Sequence, residues 1–189
     1  MDQGNNFQAV RDVLKAAHFA AERHSAQRRK GTAAEPYINH LLEVAELVSG
    51  ALAEPDTNLV IAALLHDTVE DVGVTKQELD QTFGTDVANL VMEVTDDKSL
   101  PKRERKRLQV LNAPKKPVRA QVIKLADKIS NLRAILASPP ADWSVRQRLE
   151  YIEWAKEVVD ALSAPDQGLK AEFDRLYDKA GSLHKLGRP

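Results

Sequence analysis

Apolar residues recur every three to four positions along nearly the whole chain, which is the spacing that places them on one face of an α-helix. No segment alternates apolar and polar residues for long enough to suggest a sheet. Proline and glycine fall between the periodic segments, where they end helices. We therefore predict an all-α fold, in which about eight to ten helices form a single bundle and residues 1–189 form one domain.

Capping signals mark where several of these helices begin. The approximate helix ranges are residues 6–27, 36–52, 56–71, 75–84, 86–94, 101–113, 118–137, 144–162 and 165–183. The predicted capping residues are Asp56 or Thr57, Thr75 with Glu78, and Ser144 with Gln147.

Composition limits the classes of partner. Lys and Arg (27) nearly balance Asp and Glu (28), so a net charge of −1 gives no overall attraction to nucleic acid or to an anionic membrane. Without cysteine there is no disulfide, thiolate ligand or cysteine nucleophile. The longest apolar run, residues 59–65, is far too short to span a bilayer, and no signal peptide is evident. We expect a cytoplasmic protein that binds neither nucleic acid nor membrane.

The apolar run 59–65 leads directly into residues 66–71, His-Asp-Thr-Val-Glu-Asp. The run is apolar on all sides of a helix, which predicts a buried central helix. If this helix continues to Asp71, the carboxylates of Asp67, Glu70 and Asp71 lie at its negative end, where each exposed acid costs about 0.3–1 kcal/mol. A cation would offset that cost, and i,i+4 spacing would let these side chains and His66 converge on one ion and its waters.

Two further polar residues are predicted to face inward. His40 shares a helical face with Val44, and Asp127 shares one with Ile123 and Asn131. Taken singly, each has an ordinary structural explanation, as a hydrogen-bonded core histidine or as a carboxylate that anchors two helices. A buried ionised carboxylate is nevertheless costly unless it is paired or bound to a metal.

Considered together, these groups predict a metal site. Three buried helices each supply a side chain that burial disfavours, namely His40, His66 with Asp67, and Asp127. A set of two histidines and two aspartates suits Mn, Fe, Zn or Mg and leaves positions open for water and substrate.

The same residues resemble the HD superfamily of metal-dependent phosphohydrolases, and more closely the hydrolase domain of RelA/SpoT proteins. The resemblance covers about residues 16–159. The segments that carry it are residues 29–30 (Arg-Lys), 36–40 (Pro-Tyr-Ile-Asn-His), 62–71 (Ala-Ala-Leu-Leu-His-Asp-Thr-Val-Glu-Asp), 124–128 (Lys-Leu-Ala-Asp-Lys) and 131–132 (Asn-Leu). Residues 94–98, 100–102 and 104–109 resemble the small stand-alone SpoT homologues of metazoans.

This resemblance implies a small alarmone hydrolase of the HD-domain bundle type. Such an enzyme removes the 3′-pyrophosphate of ppGpp or pppGpp and uses Mn²⁺ as its usual metal. By motif matching, the metal ligands would be His40, His66, Asp67 and Asp127, and Glu70 and Asp71 would position and deprotonate the attacking water. The residues implied to meet the nucleotide are Arg29, Lys30, Tyr37, Asn131 and Tyr151.

Local basic segments would have to attract so anionic a substrate. Arg29 and Lys30 precede the first ligand helix, and a second basic run covers residues 102–107. For the second run we expect a solvated helix face, with Lys102 as the exception.

The sequence departs from the family pattern at two positions. Leu41 stands where proline commonly follows the first ligand histidine, which a helix tolerates. Ser130 replaces a larger, often aromatic residue, which leaves the pocket shape and the substrate preference open. One alternative is therefore a phosphatase for another nucleotide, such as NADPH at its 2′-phosphate. Another is a non-catalytic nucleotide sensor or RNA-binding protein. The sequence also leaves homo-oligomerisation open.

Overall fold

Helices account for the regular structure throughout the computed structural model, which describes residues 3–181, with the side chains of residues 7–181. This part of the chain contains ten α-helices, one 3₁₀ turn at Ala113–Lys115 and no strand, so the predicted all-α class is confirmed. The helices are α1 (Gln3–Arg23), α2 (Ile38–Ala51), α3 (Thr57–Leu65), α4 (Thr68–Val72), α5 (Lys76–Phe83), α6 (Thr85–Val94), α7 (Lys102–Asn112), α8 (Val118–Ala137), α9 (Val145–Asp160) and α10 (Gln167–Ala180).

Most predicted helices agree with the observed ones to within a few residues. The range 118–137 is confirmed at both ends by α8. The predicted end of the last helix at residue 183 lies outside the described residues. The first helix was predicted too long, because α1 ends at Arg23. The three residues that follow form a turn, closed by hydrogen bonds from Ser25 N to Glu22 O and from Gln27 N to His24 O.

The prediction of one helix from residue 56 to residue 71 was wrong. The helix stops at Leu65, and a separate short helix, α4, begins at Thr68. Thr68 is fully buried, and its hydroxyl donates to Leu65 O over 2.6 Å, a local bond that competes with continuation of the helix. Gly73 ends α4 with a positive φ of 74°, a conformation that glycine adopts without strain.

The predicted helix caps are present. Asp56 accepts from Leu59 N over 3.0 Å, and Thr75 accepts from Glu78 N over 3.1 Å. Ser144 and Gln147 form a complete capping box at the start of α9. Each cap of this kind stabilises a helix by about 1 kcal/mol.

The helices fall into two compact units. The first comprises the chain up to Gln27 together with Pro36–Asp96, and the second comprises Arg28–Glu35 together with the chain from Asp97 onward. In the first unit α3 is the central helix and packs against α1, α2 and α6. Its buried side chains are Leu59, Ile61, Ala62, Ala63, Leu64 and Leu65, which confirms the expected burial of the apolar run.

In the second unit α8 packs against α10 and α9, and α7 also packs against α9. The buried face of α8 includes Ile123, Leu125, Ile129 and Leu132. Within residues 3–181, no helix is both long and apolar enough to cross a membrane.

Phe173 on α10 offers a test of this packing, because it is the largest fully buried side chain, with 0% exposure. We expect Phe173→Ala to lower the free energy of unfolding by about 3–5 kcal/mol, through lost burial and the cavity that remains. Phe7→Ala is the matched control, since Phe7 is 78% exposed, and should change stability by about 0.5 kcal/mol or less. Urea denaturation of both variants measures the difference, and equal losses would contradict the assigned packing.

Candidate metal centre and active site

His40, His66 and Asp67 meet in the first unit. One potential ligand atom from each lies within 4.8 Å of the other two. Asp67 Oδ2 is 3.1 Å from His66 Nε2 and 3.7 Å from His40 Nε2. Both histidines are buried, at 2% and 5% exposure, while Asp67 is only partly exposed. The structure therefore brings together three of the four predicted metal ligands as a group that could bind a metal.

The orientation of His66 suits a metal ligand. Its Nδ1 lies 2.8 Å from Ala63 O, and because a carbonyl oxygen only accepts, Nδ1 must carry the proton. The lone pair of the neutral ring is then on Nε2, which faces the Asp67 carboxylate. Two acceptor atoms 3.1 Å apart repel each other unless a cation or a proton lies between them. The donor chemistry of these residues thus fits a divalent ion.

Tyr37 supports the same carboxylate. Its hydroxyl donates to Asp67 Oδ2 over 2.6 Å, and its ring lies edge-on to His40 with centroids 5.4 Å apart. The sequence predicted Tyr37 as a substrate-binding residue, and the structure adds this direct contact with a predicted ligand. A hydrogen bond of this type orients a ligating carboxylate and raises metal affinity.

Glu70 and Asp71 lie in the first turn of α4, directly after this group. Because α4 is separate from α3 and has only five residues, the dipole cost predicted for the end of one long helix does not carry over to these carboxylates. Each carboxylate accepts a hydrogen bond from a residue of the first unit. Asp96 N donates to Glu70 Oε2 over 3.1 Å, and Gln27 Nε2 donates to Asp71 Oδ2 over 2.8 Å.

Asp127, the fourth predicted ligand, belongs to the second unit. Asn131 Nδ2 donates to its Oδ1 over 2.6 Å, and Lys128 Nζ donates to its Oδ2 over 2.9 Å. Arg29 in turn donates to Asn131 Oδ1 over 3.1 Å. Both donors to the Asp127 carboxylate belong to α8, the helix that carries it, so these two bonds do not join two helices. Metal ligation by Asp127 remains a prediction.

The segment that carries Arg29 and Lys30 is attached to the end of α8. Ala33 N donates to Ser138 Oγ over 3.0 Å, and Gly31 pairs with Pro140 in an isolated antiparallel bridge. A Cβ at Gly31 would lie 2.2 Å from Ser138 O, so this close approach requires glycine. Arg29 is thereby directed toward Asn131, whereas Lys30 is exposed.

Lys102 and Tyr151 belong to a group of lysines and aromatic rings in the second unit. Lys106 Nζ lies 4.5 Å from the Trp154 ring centroid and 5.5 Å from that of Tyr151. Lys128 Nζ lies 4.6 Å from Trp154. We call this group the lysine–aromatic cluster; its members are Lys102, Lys106, Lys128, Trp143, Tyr151 and Trp154.

Sequence reasoning missed much of this cluster. The basic run 102–107 was expected to be a solvated face, but Lys106 is half-buried against rings of α9. The four-residue spacing of Lys102 and Lys106 was the available signal, because it places both on one helical face. Burial lowers the pKa of Lys106, and the positive charges of Lys102 and Lys128 lower this pKa further.

Comparisons with known proteins identify the family of the chain. The HD-domain family model matches residues 16–155. The chain belongs to the HD-domain family.

Relatives of this HD-domain protein match over most of its length. It is 48% identical to the Xenopus tropicalis protein named guanosine-3′,5′-bis(diphosphate) 3′-pyrophosphohydrolase MESH1, over 89% of this chain and 94% of the relative. The Homo sapiens protein of that name is 46% identical over the same shares. A solved structure described as a metazoan ortholog of SpoT that hydrolyses ppGpp superposes with a TM-score of 0.86, at 42% identity, over 90% of this chain and 96% of that one.

Removal of the Tyr37 hydroxyl tests whether it supports a metal ligand. We expect Tyr37→Phe to weaken Mn²⁺ binding by roughly 10–100-fold, because Asp67 loses the hydrogen bond that orients it while the ring packing is kept. Tyr177→Phe is the control, since that hydroxyl donates to Glu153 in the second unit. Calorimetric titration with Mn²⁺ gives both affinities, and wild-type affinity in Tyr37→Phe would contradict the assignment.

The lowered pKa of Lys106 can be measured directly. Because the charge of Lys102 helps to lower it, we expect the pKa of Lys106 to rise in a Lys102→Met variant. NMR titration of ¹³C-methylated lysines follows this group, with Lys170→Met as a control, since Lys170 bonds Asp174 away from the cluster. The same midpoint for Lys106 in wild type and Lys102→Met would refute the like-charge effect.

Proposed function

We propose that this HD-domain protein hydrolyses the 3′-pyrophosphate of ppGpp and pppGpp, releasing pyrophosphate with GDP or GTP. One observation carries the proposal. The group of His40, His66 and Asp67, in which both histidines are buried, is followed directly in the sequence by the hydrogen-bonded carboxylates of Glu70 and Asp71, in a chain 48% identical to a protein named for this reaction. The enzyme class is therefore that of a guanosine-3′,5′-bis(diphosphate) 3′-pyrophosphohydrolase.

The proposed cofactor is one divalent ion, Mn²⁺ by preference, with Fe, Zn or Mg as alternatives. His40, His66 and Asp67 would hold it, with Asp127 as the proposed fourth ligand. When bound, such an ion lowers the pKa of water and polarises a phosphoryl oxygen. The buried imidazole nitrogens and the partly exposed carboxylate of this group support an ion of this class rather than a thiophilic one.

Glu70 and Asp71 are the proposed proton-handling groups. Water attacks the phosphorus attached to the ribose 3′-oxygen, and the bond from phosphorus to that oxygen breaks, so the ribose oxygen is the leaving group and the attacked phosphates are released as pyrophosphate. A carboxylate takes one proton of the attacking water and returns a proton to the ribose oxygen. The two carboxylates are oriented by Asp96 N and Gln27 Nε2, respectively, as proton transfer requires.

Local positive charge and aromatic rings support binding of an anionic nucleotide. We propose that Arg29, Lys30 and Lys102 interact with phosphates. Tyr37, Asn131 and Tyr151 are proposed for the base and sugar. The presence of Lys106 and Trp154 beside Tyr151 supports this assignment, since lysines attract phosphates and aromatic rings stack on bases.

We also propose that the chain forms one HD domain, because the family match at residues 16–155 includes parts of both compact units. A small nucleotide is the proposed partner. A cytoplasmic location, the absence of nucleic-acid and membrane partners, and homo-oligomerisation remain predictions.

The rival substrate is another phosphorylated nucleotide, such as NADPH, for which the same ligands and carboxylates would serve.

Hydrolysis of ppGpp with Mn²⁺ tests the proposal. We expect wild type to release GDP and pyrophosphate only in the absence of chelator, and Glu70→Gln and Asp71→Asn to lower kcat by roughly 10²–10⁴-fold, because each removes a proton-handling carboxylate. Asp67→Ala should lose both metal and activity, whereas the exposed Asp80→Ala should keep both.

Chromatography of nucleotide products, with metal content measured in parallel, separates the outcomes. A folded, metal-loaded wild type that leaves ppGpp intact but removes the 2′-phosphate of NADPH would replace the proposed substrate. Strong RNA binding without turnover of either nucleotide would instead favour the non-catalytic alternative.

A further inference from the structure

Two residues outside the predicted site, His24 and Gln27, form a hydrogen-bonded chain that ends on Asp71. His24 lies in the turn after α1 and is 2% exposed. Its Nδ1 lies 2.6 Å from Gln27 Oε1, and Gln27 Nε2 donates to Asp71 Oδ2 over 2.8 Å. All three residues belong to the first unit.

The direction of the Gln27 amide follows from its two neighbours. An ionised carboxylate only accepts, so the NH₂ group must face Asp71 and the carbonyl oxygen must face His24. His24 Nδ1 must then carry a proton and donate. Its Nε2 is buried without a hydrogen-bond partner among residues 3–181, which suits the neutral tautomer protonated on Nδ1.

Backbone hydrogen bonds also hold Gln27 in place. Gln27 N donates to His24 O over 2.9 Å, and Tyr37 N donates to Gln27 O over 3.1 Å. The His24 ring also stacks on Tyr37, with centroids 5.1 Å apart and planes inclined by 19°. Gln27 is therefore a rigid support rather than a solvated side chain that meets Asp71 by chance.

We propose that Gln27 is a positioning residue for Asp71, and that His24 keeps the Gln27 amide in the donating orientation. This inference rests on the proposed function, in which Asp71 handles a proton of the attacking water. The charge-assisted hydrogen bond from Gln27 limits rotation of the Asp71 carboxylate and so keeps its proton-accepting oxygen in place. The effect belongs to the chemical step and not to nucleotide binding.

Gln27→Leu and Gln27→Glu test the assignment. The leucine variant removes the amide and keeps the backbone bonds of residue 27. The glutamate variant keeps the size and presents an acceptor to Asp71. We expect kcat for ppGpp to fall roughly 10–100-fold in both, less than the roughly 10²–10⁴-fold cost of losing a proton carrier, with KM changed less than about twofold.

Gln121→Leu is the matched control, because Gln121 is a buried amide that bridges Lys116 O and Ala164 N in the second unit. It should lower thermal stability and leave kcat and KM unchanged. Mn²⁺ affinity by calorimetry should be unchanged in Gln27→Leu. A purely structural role for Gln27 would instead give lower stability with wild-type kcat, and that result would overturn the proposal.

A second readout does not depend on turnover. The ¹⁵N shifts of the His24 ring should indicate the neutral tautomer protonated on Nδ1 in wild type, and should move in Gln27→Leu, where the acceptor is lost. Identical ring shifts in the two proteins would overturn the inference even if ppGpp is hydrolysed. If wild type does not hydrolyse ppGpp, the proposed function fails, while the ring shifts still decide whether His24 orients Gln27.

Discussion

Burial of α3 is the constraint on which the rest of the first unit depends. Its leucine, isoleucine and alanine side chains face α1, α2 and α6, and each fully buried leucine contributes about 1.5–3 kcal/mol. A helix surrounded in this way cannot shift along its axis without breaking close packing. Residues attached to its end are therefore fixed in position, and those residues are His66 and Asp67.

The polar groups at that end are stabilised because each has a hydrogen-bond partner nearby. Ala63 O accepts from His66 and fixes its tautomer, and Tyr37 donates to Asp67. The buried threonine at position 68 closes the turn and starts α4, which brings Glu70 and Asp71 next to the group in sequence. The site thus consists of imidazole and carboxylate groups that burial would penalise unless a cation balanced them.

Sequence patterns were sufficient to predict helix ends that are set by residues close to them in the sequence. The ends of α8 follow from Pro117 before it and from Pro139 and Pro140 after it, and the capping box of α9 follows from Ser144 and Gln147. The break between α3 and α4 was missed, because threonine continues many helices and only its burial here makes the bond to Leu65 decisive. The contact of Gln27 with Asp71 joins positions 44 residues apart, and no single-sequence pattern encodes such a distance.

The net charge of the chain is near zero, yet the chain has one locally acidic group and one locally basic group of side chains. In the first unit, Asp67 belongs to the candidate metal group and Glu70 and Asp71 follow it in the sequence. In the second unit, Lys102, Lys106 and Lys128 share the faces of Trp143, Tyr151 and Trp154. Burial lowers the pKa of Lys106 most, and the charges of Lys102 and Lys128 lower it further, while the aromatic faces attract the ammonium groups. An anion bound at this cluster would reduce the repulsion among these lysines, and the gain would add to affinity. Recognition of a multiply phosphorylated ligand can therefore arise from a few lysines held against rings, in a chain with no excess of basic residues.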